Sequence, residues 1–164
     1  MRGSGSTTNE EARDRQLSER PRCLESESAV TEHNKEIARR FFALLTDGDI
    51  EAAVALFADE GDFWQAGSDG PGRIISLAEV REMFRSVIGT IPTGIVFTVG
   101  DMLAEGDWVV AQVSCTARLQ NGNEYRNRYC FFFEIVDDHI VSGREYMDTM
   151  HAVSAFSAPN EHMP

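Results

Sequence analysis

Between Thr31 and Leu45 the large apolar residues fall at helical spacing. Ile37, Phe41, Leu44 and Leu45 share one side of a cylinder, while Glu36, Arg39 and Arg40 lie elsewhere on it, which predicts an amphipathic helix. Gly48 ends that helix and Asp49 can cap a second, over Ile50 to Phe57, with Ala53, Leu56 and Phe57 as its apolar side. A short strand is expected around Asp62 to Gln65, followed by an irregular Gly-rich loop from Ala66 to Arg73. The third helix has the clearest start signal. Ser76-Leu77-Ala78-Glu79 is a capping box, and Ile75 and Val80 are spaced for a hydrophobic staple. Val80, Phe84, Val87 and Ile88 supply its buried face, and the pattern stops after Pro92 and Gly94.

The period then shortens. Long strands are predicted over Ile95 to Leu103, Trp108 to Leu119, Glu124 to Val136 and Ile140 to Asp148. Helices followed by a meander of strands make an α+β domain, its curved antiparallel sheet covered on one face by three N-terminal helices that enclose an apolar pocket. Gln120-Asn121-Gly122-Asn123 is a strong hairpin signal. With Asn121 and Gly122 as a two-residue turn, Thr116 pairs with Asn127, Ser114 with Tyr129 and Gln112 with Phe131, all on one face. The other face then carries Val109, Val113, Cys115, Arg126, Arg128, Cys130 and Phe132. The last hairpin has two solutions. A two-residue turn at Asp137-Asp138 puts Arg144, Tyr146 and Asp148 on the Tyr129 face; a three-residue turn with Asp138 in a left-handed bulge position puts Gly143, Glu145 and Met147 there. Asp148 is expected to cap a short C-terminal helix beginning at Thr149.

Composition narrows the functions available. The 164 residues carry a formal charge of −12, and no Lys/Arg cluster marks the folded part, so nucleic acid is not an expected partner. No apolar run is long enough to cross a bilayer, and the polar N-terminus lacks the apolar segment of a signal peptide. A cytoplasmic location is the expectation. Cys23, Cys115 and Cys130 form neither a disulfide framework nor a zinc motif, and His33, His139, His151 and His162 show no ligand spacing. Neither metal nor other cofactor is expected. Residues 1–28 hold few large aliphatics and read as a disordered tail, with one domain over 29–157 and a flexible C-terminus over 158–164.

Three stretches resemble a known family. Asn127-Arg128-Tyr129-Cys130-Phe131-Phe132-Phe133-Glu134, then Asp137-Asp138-His139-Ile140-Val141, then Arg144-Glu145-Tyr146-Met147-Asp148-Thr149 look like the last two strands of SnoaL-like, ketosteroid-isomerase-like proteins of the nuclear transport factor 2-like superfamily. Gly48-Asp49 and Asp62-Phe63-Trp64-Gln65-Ala66-Gly67 support the match, which covers about residues 30 to 156. The resemblance implies a cone-like, cystatin-like α+β barrel and a homodimer through the outer sheet face. It does not imply one reaction, because the superfamily hosts isomerases, dehydratases, cyclases, epoxide hydrolases and binders. Such proteins usually have Gly where this chain has Asp138, which favours the bulged turn and places Glu145 in the pocket. Against the aspartate–arginine–aspartate arrangement of limonene-epoxide-hydrolase-like members, this chain offers Ser114, Gln112 and Glu145, with Phe63 and Gln65 at the water-holding positions. Gln65 also stands where ketosteroid isomerases carry their base. One carboxylate of those patterns survives.

The expected site is therefore Glu145 as proton carrier, with Gln112 and Tyr129 beside it in the catalytic role. Phe63, Trp64, Gln65, Ser114, Asn127, Phe131 and Met147 are expected to hold a small hydrophobic molecule. Burial in such a cup raises a carboxyl pKa. The competing expectation is a structural acid hydrogen-bonded to Tyr129 or Gln112. Functionally, a cofactor-independent acid–base enzyme of isomerase, dehydratase, cyclase or hydrolase type stands beside a non-catalytic ligand binder and a dimeric interaction module.

Overall fold

The apolar spacing of the N-terminal segment is realised as α1 (Arg22–Asp47), which lays Phe41, Phe42 and Leu45 against the sheet with almost no exposure. The computed structural model describes residues 22–67 and 70–157. Of the expected tail and C-terminal extension, 1–21 and 158–164 lie outside the described residues. Residues 22–28, expected to be disordered, are instead the start of α1. Once the packed part of a helix has nucleated, adding further turns costs little per residue.

Gly48, at φ 77, turns the chain into α2 (Ile50–Val54), where Asp49 Oδ1 accepts from Ala52 N at 3.0 Å. This helix is shorter than expected. Phe57 is released to open β1 (Phe57–Gln65), and β2 (Arg73–Ser76) pairs antiparallel with it across what reads from sequence as loop. Then comes α3 (Leu77–Gly89) behind the expected capping box: Glu79 N donates to Ser76 Oγ at 3.3 Å, and Ser76 N donates to Glu79 Oε2 at 2.9 Å. Ser76 N, Arg73 and the Ser76 hydroxyl, which all donate to the Glu79 carboxylate, hold it down at about 2. The chain continues as β3 (Ile95–Glu105), β4 (Trp108–Arg118), β5 (Glu124–Val136), β6 (His139–Met147) and α4 (Thr149–Phe156).

The strands form a single six-stranded sheet in the order β2-β1-β6-β5-β4-β3. The sheet is mixed rather than wholly antiparallel, because β1 runs parallel to β6. The sheet's inner face and the helices bury an aromatic core in which Phe41, Phe42, Phe131 and Phe133 meet mostly edge-on, Phe42 and Phe131 at 4.9 Å between ring centres.

The β4–β5 register departs from the expected one. Arg118 pairs with Glu124, so the loop runs Leu119 to Asn123 rather than through two residues, and Cys115, Val113 and Ala111 face Asn127, Tyr129 and Phe131. The longer loop turns Leu119 inward and frees Asn121 and Asn123 to donate to Ala155 O, tethering α4. A one-residue slip exchanges the faces of a whole strand. Val109, Ala111, Val113 and Cys115 are thereby buried, while Gln112, Ser114 and Thr116 are exposed on the outer face. The alternation Val109-Val110-Ala111-Gln112-Val113-Ser114-Cys115-Thr116 already carried that signal. The outer face is consequently more polar than expected, keeping Arg126, Arg128, Cys130 and Phe132 but losing the three apolar β4 residues.

Candidate functional site

The β5–β6 hairpin decides which acid enters the cup. Val136 pairs with His139 around a two-residue turn, with Asp137 at φ 49 and Asp138 at φ 67. Both are left-handed, the geometry a two-residue hairpin turn requires. The ladder then shifts: Ile135 pairs with Ile140 but Glu134 with Ser142, leaving Val141 as the extra residue of a bulge. The bulge reverses the strand's parity. Gly143, Glu145 and Met147 face the helices, as the three-residue turn would have placed them, but by a different device. Gly143 is required beside the core, since a Cβ there would lie 2.6 Å from Phe63 Cδ2.

Glu145 ends in a cavity of about 130 Å³ whose walls come from every layer of the fold. Tyr125, Tyr129 and Phe131 of β5 form one side, with Gln65 and Met147 beside the acid. Met83, Phe84 and Val87 of α3 close a second side, and Ala152 and Phe156 of α4 complete the lining. Glu145 is 5% exposed. Among the described residues its carboxylate receives no hydrogen bond and meets no cation, and burial alone pushes its pKa up to about 7. The structural-acid alternative named Tyr129 and Gln112 as partners. The Tyr129 hydroxyl instead lies 2.7 Å from that of Tyr125, and Gln112 is on the other side of the sheet.

A chain of polar groups runs along β5 on the cavity side. Asn127 Nδ2 donates to Asp148 O at 3.0 Å and to the Tyr125 hydroxyl at 2.9 Å, while Asn127 Oδ1 accepts from Arg128 N at 2.7 Å and Asp148 N at 3.3 Å. The Tyr129 hydroxyl also lies 3.6 Å from Cys115 Sγ. Burial pushes the Tyr129, Tyr125 and Cys115 pKa values up, so the two phenols stay protonated.

Of the residues expected at the site, Glu145, Tyr129, Gln65, Phe131 and Met147 line the cavity. Phe63 is wholly buried in the core next to Phe131, at 6.5 Å between ring centres. Asn127 is engaged with backbone and with Tyr125 rather than with the cavity. Three expectations are corrected. Gln112 and Ser114 border a groove of about 620 Å³ on the outer face, as the β4 register dictates. Trp64 also points outward, against Tyr146 at 4.9 Å, because Phe63 and Gln65 take the inner side of β1. Tyr125, Met83 and Phe156 were missed. Strand periodicity could have found Tyr125, which shares a face with Asn127 and Tyr129; nothing local shows that α3 and α4 converge on it. Among the described residues no group of three or more His, Cys, Asp or Glu is placed to hold a metal ion, and no helix is long and apolar enough to cross a membrane.

Comparison with known proteins agrees with this architecture. The SnoaL-like domain family matches residues 38–143. No curated protein sequence matches significantly. Among solved structures, PrhC from Penicillium brasilianum is 21% identical with a TM-score of 0.69, over 76% of this chain and 86% of that one. An NTF2-like protein from Burkholderia xenovorans LB400 is 19% identical at 0.61, over 77% and 98%. An epoxide hydrolase of the LEH-like type from M. tuberculosis is 17% identical at 0.61, over 76% and 90%. Likeness at these identities establishes the nuclear transport factor 2-like fold and leaves the reaction open.

Proposed function

The chain belongs to the SnoaL-like domain family, and from that premise we propose that it is an acid–base enzyme that needs no cofactor and acts on a small hydrophobic molecule, with Glu145 as its proton carrier. One observation supports this above the others: a carboxyl group buried in an apolar cavity, unpaired among the described residues, with its pKa raised to about 7. A carboxylate kept for stability alone is normally hydrogen-bonded or ion-paired. An acid balanced between its two forms near neutral pH can take a proton from a C–H or a water and return it, a role typically worth about 10²- to 10⁴-fold in rate. Isomerase, dehydratase, cyclase and hydrolase chemistry all use such a group. Met83, Phe131 and Met147 provide the apolar contacts for substrate.

A second reading, a ligand-binding protein without turnover, is favoured by a different observation. Among the described residues the cavity lining carries no second carboxylate and no arginine. A homodimer through the outer face is part of the proposal, supported by the exposed Tyr146, the Trp64 packed on it and Phe132 alongside. Light scattering on the eluted protein tests it, and a monomer mass rejects it.

The test of the proton carrier is a carbon-13 NMR titration of carboxyl-labelled glutamates, assigned with Glu145→Gln. The expected result is one resonance titrating near pH 7 that vanishes in the variant. A Glu145 titrating near 4.5 refutes the assignment. Turnover of small epoxides and ketones is then compared in both proteins, with a loss of about 10²-fold or more expected. Equal rates in the two proteins remove Glu145 from the chemistry.

A further inference from the structure

The hydrogen bonds of Asn127 run in one direction only. Its Oδ1 faces two backbone N–H groups, Arg128 N at 2.7 Å and Asp148 N at 3.3 Å, and its Nδ2 faces the Asp148 carbonyl at 3.0 Å. Flipping the amide would set oxygen against carbonyl and N–H against N–H, so the backbone fixes which end is which. The second Nδ2 hydrogen therefore goes to the Tyr125 hydroxyl at 2.9 Å, which must accept it. Tyr125 and Tyr129, 2.7 Å apart, hold two phenolic protons and use one between them. Asn127 donates to the pair and takes no proton from it. One phenolic proton is left over. With Tyr125 donating to Tyr129, the protein atom facing that proton is Cys115 Sγ at 3.6 Å, a weak acceptor. Both phenols line the cavity that holds Glu145.

From this we infer that Asn127 is a positioning residue that turns the unspent phenolic proton of the Tyr125–Tyr129 pair toward the cavity, so that the cup selects small molecules bearing an acceptor oxygen, such as a ketone carbonyl. The inference rests on the cavity being the ligand site, as in the proposed function, and adds the class of ligand. A carbonyl oxygen near Tyr129 accepts the proton as a hydrogen bond, and the bond polarises its C=O. An alkene of the same shape leaves the donor unsatisfied, a penalty buried sites impose strongly.

The probes are carbon-13 carbonyl-labelled cyclohexanone and its hydrocarbon isostere methylenecyclohexane, since a cavity of about this size accepts a six-membered ring. With the full chain, the expected results are a C=O stretch displaced to lower wavenumber on binding, and about 3- to 10-fold tighter binding of the ketone than of the alkene. Tyr125→Phe and Tyr129→Phe together abolish both. Asn127→Asp presents an acceptor to Tyr125, reverses the chain and removes the displacement while both hydroxyls remain. A merely structural Asn127 would not change the spectrum of a folded variant. If Asn127→Asp does not fold, Tyr125→Phe takes its place and reduces the displacement by cutting Tyr129 off from Asn127. Several results overturn the inference: no ketone binding, an undisplaced stretch in the unaltered chain, a displacement kept when both tyrosines are Phe, or one unchanged in the folded Asn127 or Tyr125 variant. The carbon-13 titration of Glu145 reads the proton carrier and the C=O stretch reads the relay, so the two fail separately.

Discussion

Replacing Glu145 with Gln should stabilise this protein at alkaline pH and leave its stability nearly unchanged in mild acid. Burial raises the folded-state pKa from its ordinary 4.5 to about 7. Between those values the folded protein binds a proton that the unfolded chain has released. Stability contributed by the neutral carboxyl is therefore fully present below about pH 4.5 and is lost as pH rises through 7, after which it stays lost. At about 1.36 kcal/mol per pH unit, the loss from end to end is about 3 kcal/mol. Glutamine keeps the shape of the neutral acid and does not titrate. Urea unfolding of both proteins followed by circular dichroism at pH 5, 6, 7 and 8 gives the difference directly. The variant should gain about 2.5 kcal/mol relative to the parent between pH 5 and pH 8, equivalent to about 5 to 10 °C in melting temperature for a chain of this length. Subtracting the two curves cancels the histidines and surface acids common to both. A difference that stays flat from pH 5 to 8 would refute the reasoning, because the carboxylate would then have a partner or water that compensates its charge.

Gly143→Ala should destabilise by about 1 to 3 kcal/mol in the same unfolding assay, since its Cβ would meet Phe63 Cδ2 at 2.6 Å and Phe57 Cε1 at 3.3 Å; an unchanged midpoint would mean the β6–core spacing is wrong. Ser76→Ala removes both the hydroxyl that receives Glu79 N and the donor to Glu79 Oε2, and should cost about 0.5 to 2 kcal/mol. Gln112→Ala and Ser114→Ala, both on the outer face, should leave thermal stability within about 0.5 kcal/mol of the parent and any turnover unchanged. Loss of turnover in either would return the β4 register to the two-residue-turn alternative.

The proton carrier and the donor pair reach the cavity by different means. Tyr125, Asn127 and Tyr129 are consecutive inward positions of one strand, so their grouping follows from period two alone. Glu145 depends on the bulge at Val141 earlier in its own strand, and its raised pKa depends on walls contributed by α3 and α4. Local sequence is sufficient for the first and insufficient for the second.

Short-range physics in the chain determined the elements. The helical spacing of Ile37, Phe41 and Leu45, the capping box at Ser76 and Glu79, the strand alternation and the Asp148 cap are each satisfied by neighbours a few residues away, and the structure contains all of them. Strand parity was decided elsewhere. Asn121-Gly122 has the local chemistry of a two-residue turn, yet burying Leu119 and tethering α4 through Asn121 favour a longer loop. Asp137-Asp138 does make a two-residue turn, and the bulge at Val141 then undoes its parity. In both hairpins the core chooses among turns of similar local energy, because one residue of slip moves every apolar side chain between core and water. The sequence therefore specified the four long C-terminal strands and that a glutamate sits on the last of them. Only the packed sheet determined that this glutamate faces inward, without a partner among the described residues, into a cavity closed by helices distant in the chain.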